Sequence, residues 1–125
     1  MAADALDLDA PEDFAAVDPA DALGDVEATA AQWAAAAQLA TVRLDLADAD
    51  AVVVTGMGGS GICGDVVWAL GQDRYPLPIV VHKGYGLPGF VGRRTVVVAV
   101  SYSGGTEETR SAFAEAARRG ARRFA

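Results

Sequence analysis

Two short segments of this sequence combine glycines with hydroxyl side chains, and each follows a run of β-branched residues. We call Gly56-Met-Gly-Gly-Ser-Gly61 the first turn and Ser101-Tyr-Ser-Gly-Gly-Thr106 the second turn. Glycines let a backbone approach a ligand closely, and a helix that starts there offers free N–H groups and a positive dipole. The two turns therefore predict a binding site for phosphate.

The second turn carries three hydroxyl groups, those of Ser101, Ser103 and Thr106. Helix capping explains one of them, that of Thr106 or Ser103, because an N-cap uses a single side-chain oxygen. A phosphate monoester needs several neutral donors around its oxygens. Three hydroxyls in one turn therefore favour a monophosphate ligand.

The first turn also has the spacing G-x-G-x-x-G, through Gly56, Gly58 and Gly61. In a dinucleotide-binding domain, an acidic residue near the end of the next strand binds the ribose. Here that strand ends in His82 and Lys83, which counts against NAD but less clearly against NADP. A dinucleotide-binding domain is therefore an alternative, and a tight turn without a ligand is another.

Other reactive side chains have simpler interpretations. The lone His82 is interpreted as a rim residue, and Cys63 as a small packed residue. Glu107 and Glu108 are surface charges that complement the helix dipole, while Tyr102 either lines the site or packs beneath it. One histidine, one cysteine and scattered acids lack the spacing of metal ligands, so we expect neither a metal nor another cofactor.

The elements around the two turns alternate strand and helix. Strands are predicted at 51–55, 78–82 and 95–100, and helices at 62–71 and 107–119. The strands lack polar alternation, which is typical of strands buried on both faces. The sequence thus predicts an α/β fold, a three-layer αβα, doubly wound parallel sheet. It is incomplete, with about three strands plus the start of a fourth at 122–125.

The N-terminal residues differ in character from the rest. Residues 1–18 are predicted to form an acidic, irregular arm, and 19–125 a domain. Between Asp21 and Val42 the apolar residues recur at steps of three and four, which predicts one helix with a stripe that faces a core.

Charge and hydropathy exclude several classes of function. Residues 1–50 hold twelve acids against one base, whereas residues 51–125 hold nine bases against five acids. The part with the turns would therefore attract an anion, and the acidic part argues against nucleic acid as a partner. No apolar run approaches the ~20 residues of a membrane span. With one cysteine and no basic leader, we expect a cytoplasmic protein without a membrane partner.

Three strings of residues carry a family resemblance: Gly-Met-Gly-Gly-Ser-Gly-Ile at 56–62, Tyr85-x-Leu87-Pro88-x-Phe90-Val91, and Ser-Tyr-Ser-Gly-x-Thr-Glu-Glu-Thr at 101–109. They resemble the N-terminal part of the bifunctional phosphoglucose/phosphomannose isomerases, members of the sugar isomerase (SIS) domain superfamily. The resemblance covers the chain from about Asp18. It implies a flavodoxin-like SIS fold, present here in part.

By this resemblance the phosphate-binding residues are Ser60, Ser101, Ser103 and Thr106, with Gly59 contributing its backbone. The implied reaction is an aldose–ketose isomerisation without a metal or cofactor, from glucose 6-phosphate or mannose 6-phosphate to fructose 6-phosphate. The resemblance also implies a homodimer.

The chain departs from the family in two positions. Gly105 stands where the family usually has Asn, and Cys63 where it often has Ser or Ala. The family's glutamate base and its ring-opening histidine lie in a later part of those enzymes, and no residue here aligns with them. We therefore expect a truncated chain with no catalytic residue, which binds sugar phosphate without turnover. A non-catalytic, regulatory phosphosugar-binding module is the alternative.

Overall fold

The computed structural model describes residues 10, 14, 16–39 and 43–125. The chain divides into two compact units, Met1–Leu44 and Asp45–Ala125. The predicted arm at 1–18 lies largely outside the described residues. Within the described ranges, no helix is long and apolar enough to cross a membrane.

The described part of the first unit includes two short helices, α1 (Ala22–Glu27) and α2 (Thr29–Leu39), and Phe14, Ala16 and Val17 are helical as well. Neither has a buried residue, and Trp33 is 60% exposed. The prediction of one helix with a core-facing stripe is therefore wrong for the described residues, and 40–42 lie outside them.

The second unit is built on a four-stranded parallel sheet. Its strands are β1 (Ala51–Thr55), β2 (Ile79–His82), β3 (Thr95–Ala99) and β4 (Arg122–Phe124), in the order β2-β1-β3-β4. Two helices connect them, α3 (Gly58–Gly71) and α4 (Glu107–Arg118). The predicted α/β class, the parallel sheet and the fourth strand are confirmed.

The two helices lie on opposite faces of the sheet. A β-carbon added at Gly64 of α3 would lie 3.2 Å from a methyl group of Val54. Ala112 of α4 instead belongs to the buried cluster that contains Val53 and Val97. Because successive strand residues point to opposite faces, α3 and α4 cover different sides, which is the predicted layered arrangement.

Helix α3 faces the sheet with glycines rather than with its large apolar side chains. Its buried residues are Gly61, Gly64 and Gly71. Ile62 and Leu70, whose spacing predicted the helix, are 57% and 62% exposed. The helix ends at Gly71 as predicted. Its glycines bring the backbone close to the strands, whereas Ile62 and Leu70 are exposed to solvent.

Strand β2 differs from its prediction as a strand buried on both faces. All four of its residues are half-buried, because β2 is an edge strand that pairs only with β1. Its register sets Thr55 beside His82, and the register of β3 sets Thr55 beside Ala99. The carboxyl ends of the three strands are therefore level at one edge of the sheet.

Candidate phosphate-binding site

Both glycine–hydroxyl turns leave the sheet from that edge. The first turn follows β1 and the second follows β3, and these strands are neighbours. The backbone N–H of Tyr102 donates a hydrogen bond to Oγ of Ser60 over 3.2 Å. The structure thus brings Ser60 to the second turn, as expected for ligand sites at the carboxyl ends of parallel strands.

The first turn is compact and leads directly into α3. A β-carbon at Gly56 would lie 2.8 Å from the carbonyl oxygen of Val100, so this position requires glycine. The N–H of Gly61 is the first to bond within the helix, to the carbonyl of Met57 over 3.1 Å. The preceding N–H groups, including that of Gly59, start the helix and have no acceptor within it.

The second turn holds its three hydroxyls together, and we call Ser101, Ser103 and Thr106 the hydroxyl cluster. Oγ1 of Thr106 lies 3.4 Å from Oγ of Ser101 and 3.5 Å from Oγ of Ser103. The serine oxygens accept hydrogen bonds from the N–H groups of Gly104 (3.1 Å) and Gly105 (3.2 Å). Three hydroxyl groups therefore lie together at the start of α4.

Helix capping does not account for Thr106. It is the N-cap residue of α4, yet its side chain makes no capping hydrogen bond. Its hydroxyl lies among the serine hydroxyls instead. The first N–H groups of α4 consequently remain open to an external acceptor, as the N-terminus of an anion-binding helix requires.

The structure excludes one of the two interpretations of Tyr102 and corrects those of Cys63 and His82. Tyr102 is completely exposed, which excludes packing beneath the turn. Cys63 is exposed rather than packed. His82 lies at a strand end as expected, but its Nε2 is buried and has no hydrogen-bond partner among the described residues, so that nitrogen is not at the rim.

A lysine lies against the first turn. A β-carbon at Gly61 would be 3.0 Å from Cε of Lys83. The ammonium group of this lysine pairs with Asp65 over 2.5 Å, and both side chains are about half exposed. Such an exposed pair contributes little to stability, so Lys83 brings positive charge near the first turn without being locked in place.

Glu107 has a partner that the sequence did not indicate. Its carboxylate accepts a hydrogen bond from the hydroxyl of Tyr85 over 3.0 Å. This bond, with the nearby charges of Glu108 and Glu107, raises the pKa of Tyr85 above its usual value. Glu107 was predicted to be a surface charge. The motif that begins at Tyr85 indicated a family resemblance, but nothing in it predicted a contact between Tyr85 and Glu107.

A cavity of about 600 Å³ opens beside the second turn, between α4 and the ends of β3 and β4. Ser101 and Gly104 of the second turn line it, together with Phe113 and Ala114 of α4. Ser60 does not line it. The cavity therefore adjoins the second turn, and no residue of the first turn lines it.

Comparison with known proteins gives four curated relatives, all named bifunctional phosphoglucose/phosphomannose isomerase. The protein from Caldicellulosiruptor bescii is 43% identical over 82 residues, which are 66% of this chain and 24% of the relative. The protein from Aquifex aeolicus is 46% identical over 81 residues, which are 63% of this chain and 25% of the relative.

No family model and no solved structure matches the chain. The chain spans about a quarter of the length of the curated relatives it matches, with shares from 22% to 25%. Over that segment the identity is 43–46%. The chain is therefore related to the bifunctional phosphoglucose/phosphomannose isomerases through a segment that makes up about a quarter of their length.

Proposed function

We propose that this chain binds the phosphate group of a hexose phosphate, as part of an aldose–ketose isomerase. The substrates would be glucose 6-phosphate and mannose 6-phosphate, and the product fructose 6-phosphate. One observation carries the proposal: the hydroxyls of Ser101 and Ser103 lie within 3.5 Å of Thr106 Oγ1, beside the turn that holds Ser60. The names of the relatives support the choice of sugar.

The binding chemistry follows from neutral donors and helix dipoles. The hydroxyl cluster and Ser60 would each donate an O–H to a phosphate oxygen, and the backbone of Gly59 would add an N–H. The N-termini of α3 and α4 both begin at these turns, and each places positive partial charge there. Together they would bind a dianion without a metal ion.

Catalysis needs groups of another kind. Isomerisation moves a proton between carbons 1 and 2 of the sugar, so a base with a suitable pKa must reach that proton. Serine and threonine hydroxyls do not supply such a base. We propose that the two turns hold and orient the substrate, and that no residue of these turns transfers the proton.

Titration of the 125-residue chain with fructose 6-phosphate tests the proposal by calorimetry. We expect saturable binding that falls at least tenfold in the double variant Ser101→Ala/Ser103→Ala. Thr29→Ala is the control, because it removes a hydroxyl outside both turns and should bind as the wild type does. Equal binding by the double variant and the wild type would exclude the hydroxyl cluster as the phosphate site.

Three further measurements separate the alternatives. Saturable quenching of NADPH fluorescence at micromolar concentration would favour a dinucleotide-binding domain over a sugar-phosphate site. Conversion of glucose 6-phosphate by the chain alone would contradict our assignment of the turns to binding without proton transfer. Sugar-phosphate binding by a longer protein that lacks isomerase activity would instead favour a regulatory phosphosugar-binding module.

The family further suggests a homodimer, and we propose a cytoplasmic protein.

A further inference from the structure

The segment 85–88, which we call the strap, lies along one face of α4. The hydroxyl of Tyr85 donates to Glu107 over 3.0 Å, and the N–H of Gly86 donates to Oγ of Ser111 over 3.1 Å. At the far end the guanidinium of Arg119 donates to the carbonyl oxygen of Pro88 over 2.7 Å. The strap therefore contacts α4 through both side chains and backbone.

The helix residues that hold the strap form a single stripe. Glu107, Ser111, Glu115 and Arg119 follow one another at intervals of four, so they lie on one face of the helix. Glu115 completes the stripe by accepting a hydrogen bond from Arg119 Nε over 2.8 Å. At 1.5 Å per residue, the stripe extends about 18 Å, from the N-terminus of α4 to its C-terminal end.

Apolar packing fixes the middle of the strap and the residues that follow it. Leu87 and Val91 are buried in the same cluster as Ala112 and Ala116 of α4. Tyr85, in contrast, is 63% exposed and depends on its hydroxyl contact. The Tyr85 ring is therefore the least packed part of the strap, and its hydroxyl contacts α4 at the first residue of the helix.

That helix start is also the position of the hydroxyl cluster. Glu107 directly follows Thr106, on which the other two hydroxyls converge. Glu107 also lines the cavity together with Ser101. An untethered carboxylate here would be free to approach a bound phosphate and repel it, since like charges a few ångströms apart destabilise one another.

We infer that Tyr85 and Glu107 are positioning residues of the phosphate site. The hydrogen bond between them holds the first residue of α4 in place and anchors the Glu107 carboxylate to the strap. Thr106 then keeps its place in the hydroxyl cluster. This inference rests on the proposed function, because it concerns how that site is held and not whether it binds phosphate.

The test uses inorganic phosphate as the probe and two substitutions that remove the same charge. Glu107→Gln keeps an oxygen that accepts the Tyr85 hydrogen bond, whereas Glu107→Ala does not. Dissociation constants come from phosphorus NMR, well below the melting temperature of each variant. We expect Glu107→Ala to bind phosphate roughly threefold to tenfold more weakly than Glu107→Gln, the range for one hydrogen bond.

Tyr85→Phe completes the cycle. Tyr85→Phe should weaken phosphate binding by a similar factor in the wild type and in the Glu107→Gln variant. In the Glu107→Ala variant it should have no effect on phosphate binding. Ser111→Ala is the matched control, because it removes a strap contact one helical turn further from Thr106. Its affinity for phosphate should stay within about twofold of the wild type.

Equal affinities for the Gln and Ala variants, or an equal effect of Tyr85→Phe in both backgrounds, would overturn the inference and leave the proposed function standing. Absence of phosphate binding by the wild type would overturn both. If Glu107→Ala fails to fold, the comparison of Tyr85→Phe with Ser111→Ala decides alone: an equal loss of affinity in the two variants contradicts the inference.

Discussion

The N–H of Tyr102 donates a hydrogen bond to Ser60 Oγ over 3.2 Å, across 42 positions of sequence. This bond joins the turn after β1 to the turn after β3. The Ser60 hydroxyl accepts here with one lone pair and keeps its own proton for another acceptor. A single side chain therefore connects the two halves of the site and still has a donor for phosphate.

Replacing Ser60 with Ala should break this connection. We expect faster hydrogen exchange at the Tyr102 amide and weaker binding of fructose 6-phosphate, by roughly fivefold for the loss of one hydrogen bond. Exchange followed by NMR and a calorimetric titration measure the two effects. Cys63→Ala, an exposed position of the same helix, serves as the control. Unchanged protection of Tyr102 would show that Ser60 does not hold the second turn.

Gly104 and Gly105 offer a matched pair of substitutions in the second turn. Gly104 has a φ of 66°, in the left-handed region, whereas Gly105 is outside that region. A β-carbon added at Gly105 would lie 3.9 Å from Ser103 Oγ, an ordinary van der Waals contact. Gly104→Ala should therefore cost about 1–2 kcal/mol of stability, because a side chain disfavours the left-handed conformation.

Gly105→Ala should leave stability nearly unchanged, because its backbone is not in that region. Denaturation by urea measures both free energies of unfolding. If the two alanine variants lose the same stability, the strain argument for Gly104 fails.

The glycine face of α3 predicts a packing effect. A β-carbon at Gly64 would lie 2.9 Å from a methyl group of Val81, whereas one at Gly59 would meet nothing within 4 Å. Gly64→Ala should therefore destabilise the chain by about 1–3 kcal/mol through overpacking.

Gly59→Ala should raise stability slightly, by about 0.5–1 kcal/mol, because alanine favours the helix. Thermal unfolding followed by circular dichroism measures both variants. A stable Gly64→Ala variant would mean that α3 does not lie this close to the sheet.

Glu115 predicts a dependence of stability on pH. Its ion pairs with Arg118 and Arg119 lower the pKa of its carboxyl. The pairs therefore stabilise the fold above the ordinary glutamate pKa of about 4.3, and this contribution disappears as pH falls through the lowered pKa. Glu115→Gln should be less stable than the wild type at pH 7 and equally stable in strong acid.

Urea denaturation at several pH values measures this difference. Asp73→Asn, which removes a carboxylate that forms no ion pair among the described residues, is the control and should not reproduce the pattern. A difference between Glu115→Gln and the wild type that persists in strong acid would show that the ion pairs are not its source.

Local patterns were sufficient for the elements of the second unit. The valine runs of β1 and β3 predicted buried strands because β-branched residues favour extended backbone and apolar surroundings. Local patterns did not predict burial correctly where burial depends on packing between distant segments. β2 has a similar composition but lies at the edge of the sheet, and Ile62 lies on the side of α3 that faces away from the strands.

Short segments of the chain specify the two turns and the order of strands and helices around them. Glycine, hydroxyl and β-branched residues act through local backbone preferences, which a short segment specifies alone. No short segment specifies that β1 and β3 are neighbours, that Ser60 contacts Tyr102, or that Tyr85 contacts Glu107. These contacts depend on how distant segments pack, because strand order and helix placement minimise the free energy of the whole core rather than of any one segment.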